Sequence, residues 1–90
     1  MKTSIKQSLK AQAHHLKPVV MLGAKGLTPA VVEETNTALL SHELIKVKIN
    51  GADKAAREAI GLELSQQLDA TLIQSIGNTL ILFRKNIQNP

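Results

Sequence analysis

The sequence predicts an α/β fold of the two-layer α+β type, with the element order α-β-α-β-α-β-β and a four-stranded mixed sheet. Segments with apolar residues three and four positions apart, as in helices, alternate along the chain with short aliphatic runs, as in strands. The 90 residues, of which 43% are hydrophobic, suffice for one domain with a modest core. We expect that domain to span residues 1–85 and the tail, 86–90, to be frayed.

The first helix is predicted from apolar residues at helical spacing that would face the core, namely Ile5, Leu9, Ala13 and Leu16. Pro18 ends this helical region and opens a strand over 18–22. Because this strand is apolar throughout, we expect it to be buried rather than half-exposed. Thr28 and Pro29 are residue types that begin helices, which predicts a second helix over 29–41.

The second strand, 44–49, alternates between aliphatic residues expected in the core and two lysines, Lys46 and Lys48, expected on a basic outer face. After the Asn50-Gly51 turn, Asp53 is expected to cap a third helix over 54–68. Its predicted buried positions are Ala56, Ala59, Ile60, Leu64 and Leu68. Gly61 weakens this helix but would permit close packing against the sheet.

The last two strands, 71–76 and 79–83, are predicted to form a hairpin. Gly77-Asn78 joins them, and a leading glycine suits a type II′ turn. The final strand is apolar at 80–83, so we expect it to be central and covered on both sides. Inserting this strand between the second and third strands gives the sheet order 1-2-4-3. Right-handed crossovers put the second and third helices on one face, which leaves the first helix free to cover part of the other.

Catalytic and metal sites are not predicted. The chain has no cysteine, so it has neither disulfides nor thiolate ligands. The adjacent candidates Glu33-Glu34, Ser41-His42-Glu43 and His14-His15 lack the spacing with which acid–base pairs, triads or helical metal ligands converge. We therefore expect no enzyme activity, no cofactor and no metal. The lack of an apolar run long enough for export or a membrane span leads us to expect a cytoplasmic protein without a membrane partner.

The charge pattern favours a polyanionic partner. The net charge is +4 and the isoelectric point is near 9.7. Residues 1–32 carry five lysines and no acid, whereas 33–43 carry three acids and no lysine or arginine. This separation predicts one basic and one acidic face, although ordinary solvated charge is the alternative. With one Phe and no Trp or Tyr, the chain lacks an aromatic platform for bases, so binding would use phosphates, 2′-hydroxyls and shape.

A G-x-x-G loop from Gly23 to Gly26 lies between the first strand and the second helix. Lys25 lies between the glycines, and the positive end of the helix would point at the loop, which together predict an anion site, with phosphate as the expected anion. A tight turn with a solvated lysine is the alternative. KH domains use a G-x-x-G loop to hold the nucleotide backbone.

Four blocks of residues, Leu16–Val20, Gly23–Thr28, His42–Ile49 and Gln74–Gly77, resemble in order and spacing the CRM domain (chloroplast RNA splicing and ribosome maturation) in its stand-alone bacterial YhbY form. The resemblance covers about residues 4 to 85. It implies an RNA-binding domain similar to the C-terminal domain of translation initiation factor three. Bacterial members are associated with precursors of the large ribosomal subunit, so the implied partners are ribosomal RNA precursors and pre-ribosomal particles. We expect a monomer.

The residues expected to bind RNA are the loop, its helix cap and nearby cations, with the family's G-x-x-G loop mapping onto Gly23 to Gly26: Gly23, Ala24, Lys25, Gly26, Thr28, Lys17, Lys46, Lys48, Lys54 and Arg57. The alternative is a protein-interaction adaptor that docks a ribosomal protein through Glu33 and Glu34 or through the basic surface. A third possibility, an enzyme acting on a phosphorylated metabolite, is disfavoured because no acid–base pair converges.

Overall fold

The computed structural model describes residues 3–23 and 25–86. The elements in these residues follow the predicted order: α1 (Thr3–Ala13), β1 (Pro18–Leu22), α2 (Pro29–His42), β2 (Leu44–Ile49), α3 (Lys54–Leu68), β3 (Thr71–Ile76) and β4 (Thr79–Phe83). The strands form one sheet of order β1-β2-β4-β3. β1 is parallel to β2, and β4 is antiparallel to both of its neighbours. The predicted fold class, strand order and mixed sheet are confirmed.

Both faces of the sheet carry helices, and the predicted placement of the helices is confirmed. α2 and α3 cover one face over the main core, which consists of Val20, Leu22, Leu39, Ile45, Val47, Ile49, Leu64, Leu68, Leu80 and Leu82. α1 covers part of the other face over a smaller core of Leu9, Ala13, Ile73 and Ile81. β4 contributes to both cores, because a central strand between two helical layers is buried on both sides.

The local sequence determines where α2 and α3 begin. Thr28 Oγ1 accepts a hydrogen bond from the Val31 amide at 3.2 Å, and Asp53 Oδ1 accepts one from the Ala56 amide at 2.8 Å. Pro29 occupies the first helical position, where its missing N–H leaves no acceptor unpaired. The two predicted caps are confirmed.

The buried stripe of α3 differs in part from the prediction. Leu64 and Leu68 are buried as expected, but Ala56 and Ala59 are exposed. The first turns of α3 extend past the edge of the core, and the stripe begins with Ile60, which is partly buried against the main core, and with the buried Gly61. A Cβ atom at Gly61 would lie 3.2 Å from Leu80 Cδ1 and 3.3 Å from Leu72 Cδ2. The expected close packing of this glycine against the sheet is confirmed.

β1 is half-exposed, so the prediction of a buried strand was wrong. Val20 and Leu22 point into the main core, while Val19 is 46% and Met21 58% exposed. β1 is an edge strand, and α1 packs over β2, β3 and β4 without covering it. The prediction for the first helix was wrong at two positions. Ile5 and Leu16 were expected to face the core, but they extend beyond the small core and are exposed.

The hairpin turn has the predicted geometry. Gly77 has a φ of +56°, whereas Asn78 is not among the residues with positive φ, as a type II′ turn requires. Asn86, the first residue of the predicted tail, is hydrogen bonded to Glu43 and to α2. Residues 87–90 lie outside the described residues.

Candidate nucleic-acid interface

The carboxyl ends of β1 and β2 bring three loops to one edge of the sheet, which we call the carboxyl edge. The Asn50 amide donates to the carbonyl of Leu22 at 2.9 Å, and the Ile49 amide donates to the carbonyl of Asn78 at 2.7 Å. The G-x-x-G loop, the Asn50-Gly51 turn and the Gly77-Asn78 turn are therefore neighbours. Both α2 and α3 begin at this edge, since each follows a strand that ends there.

The G-x-x-G loop closes on itself and is open to solvent. The Gly26 amide donates to the Gly23 carbonyl at 3.0 Å, and Gly26 has a φ of +70°. A Cβ atom at Gly23 would have no atom of a described residue within 4 Å apart from its chain neighbours. Lys25 is exposed. Ala24, also predicted to bind RNA, lies outside the described residues.

The start of α2 offers fewer free donors than a bare helix end. The Val31 amide is bound to Thr28 Oγ1, the Val32 amide donates to the Thr28 carbonyl, and Pro29 has no N–H. In this first turn, the Ala30 amide is therefore the donor that helix geometry leaves without an intrahelical acceptor. An anion at this point would depend on that amide, the helix dipole and the ammonium of Lys25.

The predicted cations are distributed along the sheet. Lys48 of β2 pairs with Met21 of β1, one pair before the end of the two strands. Lys46 lies two positions earlier in β2, on the same face of the sheet. Lys54 is exposed at the first position of α3, at the carboxyl edge. Lys17 precedes β1, and the six residue steps of extended chain from Lys17 to Gly23 place it about 20 Å from the loop.

Arg57 is bound to its own loop rather than extended into solvent. Its Nη1 donates to the Ala52 carbonyl at 2.7 Å. Its Nε atom is buried and has no hydrogen-bond partner among the described residues. The guanidinium stabilises the turn that leads into α3 and presents only part of its charge to a ligand.

The sheet separates the two lysines of β2 from two exposed glutamates of the α2–α3 layer. Lys46 and Lys48 lie on the face that α1 partly covers, opposite the main core. Glu33 and Glu63 are exposed on the α2–α3 layer on the other side. They line a groove of about 550 Å³ between the two helices, together with Leu27, Val32, Asn36 and Leu68. We call the face that carries Lys46 and Lys48 the lysine face. A polyanion is thus favoured on the lysine face and disfavoured at the groove.

Residues 3–23 and 25–86 contain no group of three or more His, Cys, Asp or Glu side chains placed to hold a metal ion. Within the same residues, every helix is too short or too polar to cross a lipid bilayer.

A row of side chains across the lysine face was not predicted from the sequence. The strand registers pair Met21 with Lys48, Lys48 with Thr79, and Thr79 with Ile76. We call Met21, Lys48, Thr79 and Ile76 the open row. The proline at the start of β1 could have indicated the exposure of Met21, because proline within a sheet favours edge strands.

Comparison with known proteins identifies the family. The family model of the CRS1/YhbY (CRM) domain matches residues 1–84, nearly the whole chain. The chain belongs to the CRS1/YhbY (CRM) domain family. The predicted resemblance is confirmed.

Relatives of this CRM domain occur in distant bacteria. An "RNA-binding protein" of Haemophilus influenzae is 48% identical over 84 residues, which cover 93% of this chain and 85% of that protein. "Probable RNA-binding protein YqeI" of Bacillus subtilis is 30% identical over 84 residues, covering 93% and 88%. The solution structure of SAV1595 from Staphylococcus aureus has the same fold, with a TM-score of 0.86 at 23% identity and coverage of 100% and 94%.

Proposed function

We propose that this CRM-domain protein binds RNA through the G-x-x-G loop and the adjacent lysine face, without enzymatic activity. We further propose that it is a cytoplasmic monomer that associates with precursors of the large ribosomal subunit and assists their assembly. The relatives in Haemophilus influenzae and Bacillus subtilis carry names that describe RNA binding. The observation that carries the proposal is the exposed loop at the carboxyl edge, with Lys25, Lys48 and Lys54 around it.

In the proposed mechanism, the loop and the helix start have different roles. Gly23 has open space where a side chain would be, so a sugar-phosphate chain can approach its backbone closely. Lys25 and the Ala30 amide hold a phosphate at the positive end of α2. Lys48, Lys46 and Lys54 contact further phosphates, with Lys17 at the far end of the track and Arg57 a partial contributor.

The dependence of affinity on salt tests this mechanism. If about four to six phosphates are neutralised, log affinity against log salt falls with a slope of about −3 to −4 for single-stranded RNA. Filter binding of a labelled RNA strand at a series of potassium chloride concentrations measures this slope. A slope near zero would reject the electrostatic mechanism.

The proposed role in assembly needs a cellular measurement. Tagged protein from growing cells should sediment with immature large-subunit particles, and crosslinking followed by sequencing should recover large-subunit RNA precursors. Recovery of unrelated transcripts alone would reject the ribosomal role while leaving RNA binding in place.

The groove between α2 and α3 favours a second candidate, an adaptor that docks a basic ribosomal protein. Its apolar floor includes Val32 and Leu68, and the carboxylates of Glu33 and Glu63 lie along it. Pulldowns with and without nuclease separate the two functions. An adaptor retains its protein partner after the RNA has been destroyed, whereas an RNA-bound protein loses the ribosomal material.

A further inference from the structure

The open row is an apolar and cationic strip beside the loop. Met21 is 58% and Ile76 48% exposed at its two ends, with Lys48 and Thr79 between them. Met21 is two residues before Gly23, so the strip is continuous with the proposed phosphate site. A hollow of about 240 Å³ adjoins the open row. It is lined by Thr79 and Ile76 of the row and by His14, Lys46 and Ile81.

The exposure of these apolar side chains follows from the architecture. α1 packs on Ile73 and Ile81 and leaves the β1 side of this face uncovered. Two other large apolar side chains, Leu40 and Leu62, are each 57% exposed on the α2–α3 layer. That layer carries Glu33 and Glu63, which repel phosphates. The open row therefore combines exposed apolar surface with positive charge.

RNA strands present unpaired bases as well as phosphates. Proteins usually stack such bases on aromatic or arginine side chains. Phe83, the only Phe, Tyr or Trp residue of this chain, packs against the small core beneath α1. A flat strand surface with a flexible thioether is a chemically suitable substitute, because methionine sulfur makes favourable contacts with aromatic rings. Four-stranded sheets in RRM domains hold two or three bases on one face.

We propose that the open row contacts the unpaired bases of single-stranded RNA whose backbone is bound at the G-x-x-G loop. This inference rests on the proposed function and narrows the ligand to an RNA strand with exposed bases. In this arrangement, Met21 and Ile76 pack on base faces and Lys48 neutralises the phosphate between them. A duplex keeps its bases paired and stacked inside, so the open row adds nothing to its affinity.

The test compares two apolar substitutions with a matched control. Met21→Gln combined with Ile76→Thr removes the apolar surface and preserves residue types that strands accept. Leu62→Gln changes a side chain of nearly equal exposure, 57%, on the acidic layer. The probes are an unstructured RNA of about twelve nucleotides, within the site sizes of single-strand binders, and the same strand annealed to its complement.

The Met21→Gln/Ile76→Thr variant should bind the single strand about three- to tenfold more weakly than wild type, as loss of base contacts predicts. Its salt slope and its affinity for the duplex should stay at the wild-type values, because no charge has changed. Leu62→Gln should match wild type with both probes. Thermal unfolding of each variant verifies that it is folded.

Unchanged affinity of the double variant for the single strand would overturn the inference. It would favour a protein partner for the open row. Equal weakening for single strand and duplex would also overturn it, since base contacts distinguish the two. These results leave the proposed function standing if wild type still shows its salt slope. Failure of wild type to bind either probe would reject both proposals.

Discussion

The two glycines of the G-x-x-G loop differ in backbone conformation. Gly26 has a φ of +70°, which residues with a side chain adopt at a cost of about 1–2 kcal/mol. Gly23 has no such φ, and a Cβ there has open space. A substitution at Gly26 therefore changes stability and binding together, whereas one at Gly23 reports on binding alone.

Gly23→Asp should weaken RNA binding about tenfold, because a carboxylate at the loop repels a phosphate by about 1 kcal/mol or more. The free energy of unfolding should change by no more than about 0.5 kcal/mol, as at other open surface positions. Filter binding and urea denaturation measure the two effects. Gly23→Asn, of the same shape without the charge, is the control. Equal weakening by Asp and Asn would show that any side chain at Gly23 blocks the close approach of the sugar-phosphate chain, with no contribution from charge.

Gly61 tests packing rather than binding. Gly61→Val should lower the free energy of unfolding by about 2 kcal/mol, because its methyl groups would collide with Leu80 and Leu72. Ala59→Val puts the same residue on an exposed position of α3 and should lose only about 0.5 kcal/mol of helix propensity. Urea denaturation compares them, and equal small losses would show that the sheet yields at this contact.

The last residues before the tail connect elements that are distant in the chain. Arg84 Nη1 donates to Asn36 Oδ1 at 2.8 Å and to the Leu68 carbonyl at 3.0 Å, which joins β4 to α2 and to the end of α3. The Asn86 side chain donates to the carbonyl of Leu40 at 2.8 Å. These bonds satisfy carbonyls at the helix ends that would otherwise lack donors.

Arg84→Met should lower the free energy of unfolding by about 2 kcal/mol, since it leaves the acceptors on Asn36 and Leu68 without a partner. Arg84→Lys should recover only part of this loss, because one ammonium cannot reproduce the guanidinium geometry. Lys85→Met, at an exposed neighbouring position, should change stability by less than about 0.5 kcal/mol. A loss for Lys85→Met equal to that for Arg84→Met would contradict the role of these bonds.

Elements were predictable from the sequence where local chemistry determines them. The caps at Thr28 and Asp53 and the Gly77-Asn78 turn depend on residues close in the chain, and all three formed as expected. The exposure of Met21 and Ala56 depends on how far a distant helix or the core extends. An apolar run alone does not determine that, because the same residues would be buried under a longer α1.

At the scale of the whole molecule, the sheet places the two lysines of β2 opposite two exposed glutamates, whereas Lys54 and Arg57 share α3 with one of those glutamates. Lys46 and Lys48 lie on one side, and Glu33 and Glu63 on the other. The sequence indicated two faces, but alternation alone could not show that the lysines share their face with exposed Met21. That required the register between β1 and β2.

Lys46→Gln combined with Lys48→Gln should reduce the magnitude of the salt slope by about 1.4, because each phosphate contact contributes about 0.7 for single strands. Glu33→Gln combined with Glu63→Gln should leave the slope unchanged, since a carboxylate neutralises no phosphate. Filter binding over the same salt series compares the two pairs. A steeper slope for the glutamate pair would mean that RNA also reaches the groove.

The position of β4 has a consequence for biosynthesis. The last strand to be translated lies between β2 and β3, so the two parts of the sheet have no hydrogen-bonded connection before it arrives. A nascent chain that has emerged only as far as β3 can form helices and one parallel strand pair, but it cannot complete either core. The native domain therefore assembles only after β4 has left the exit tunnel.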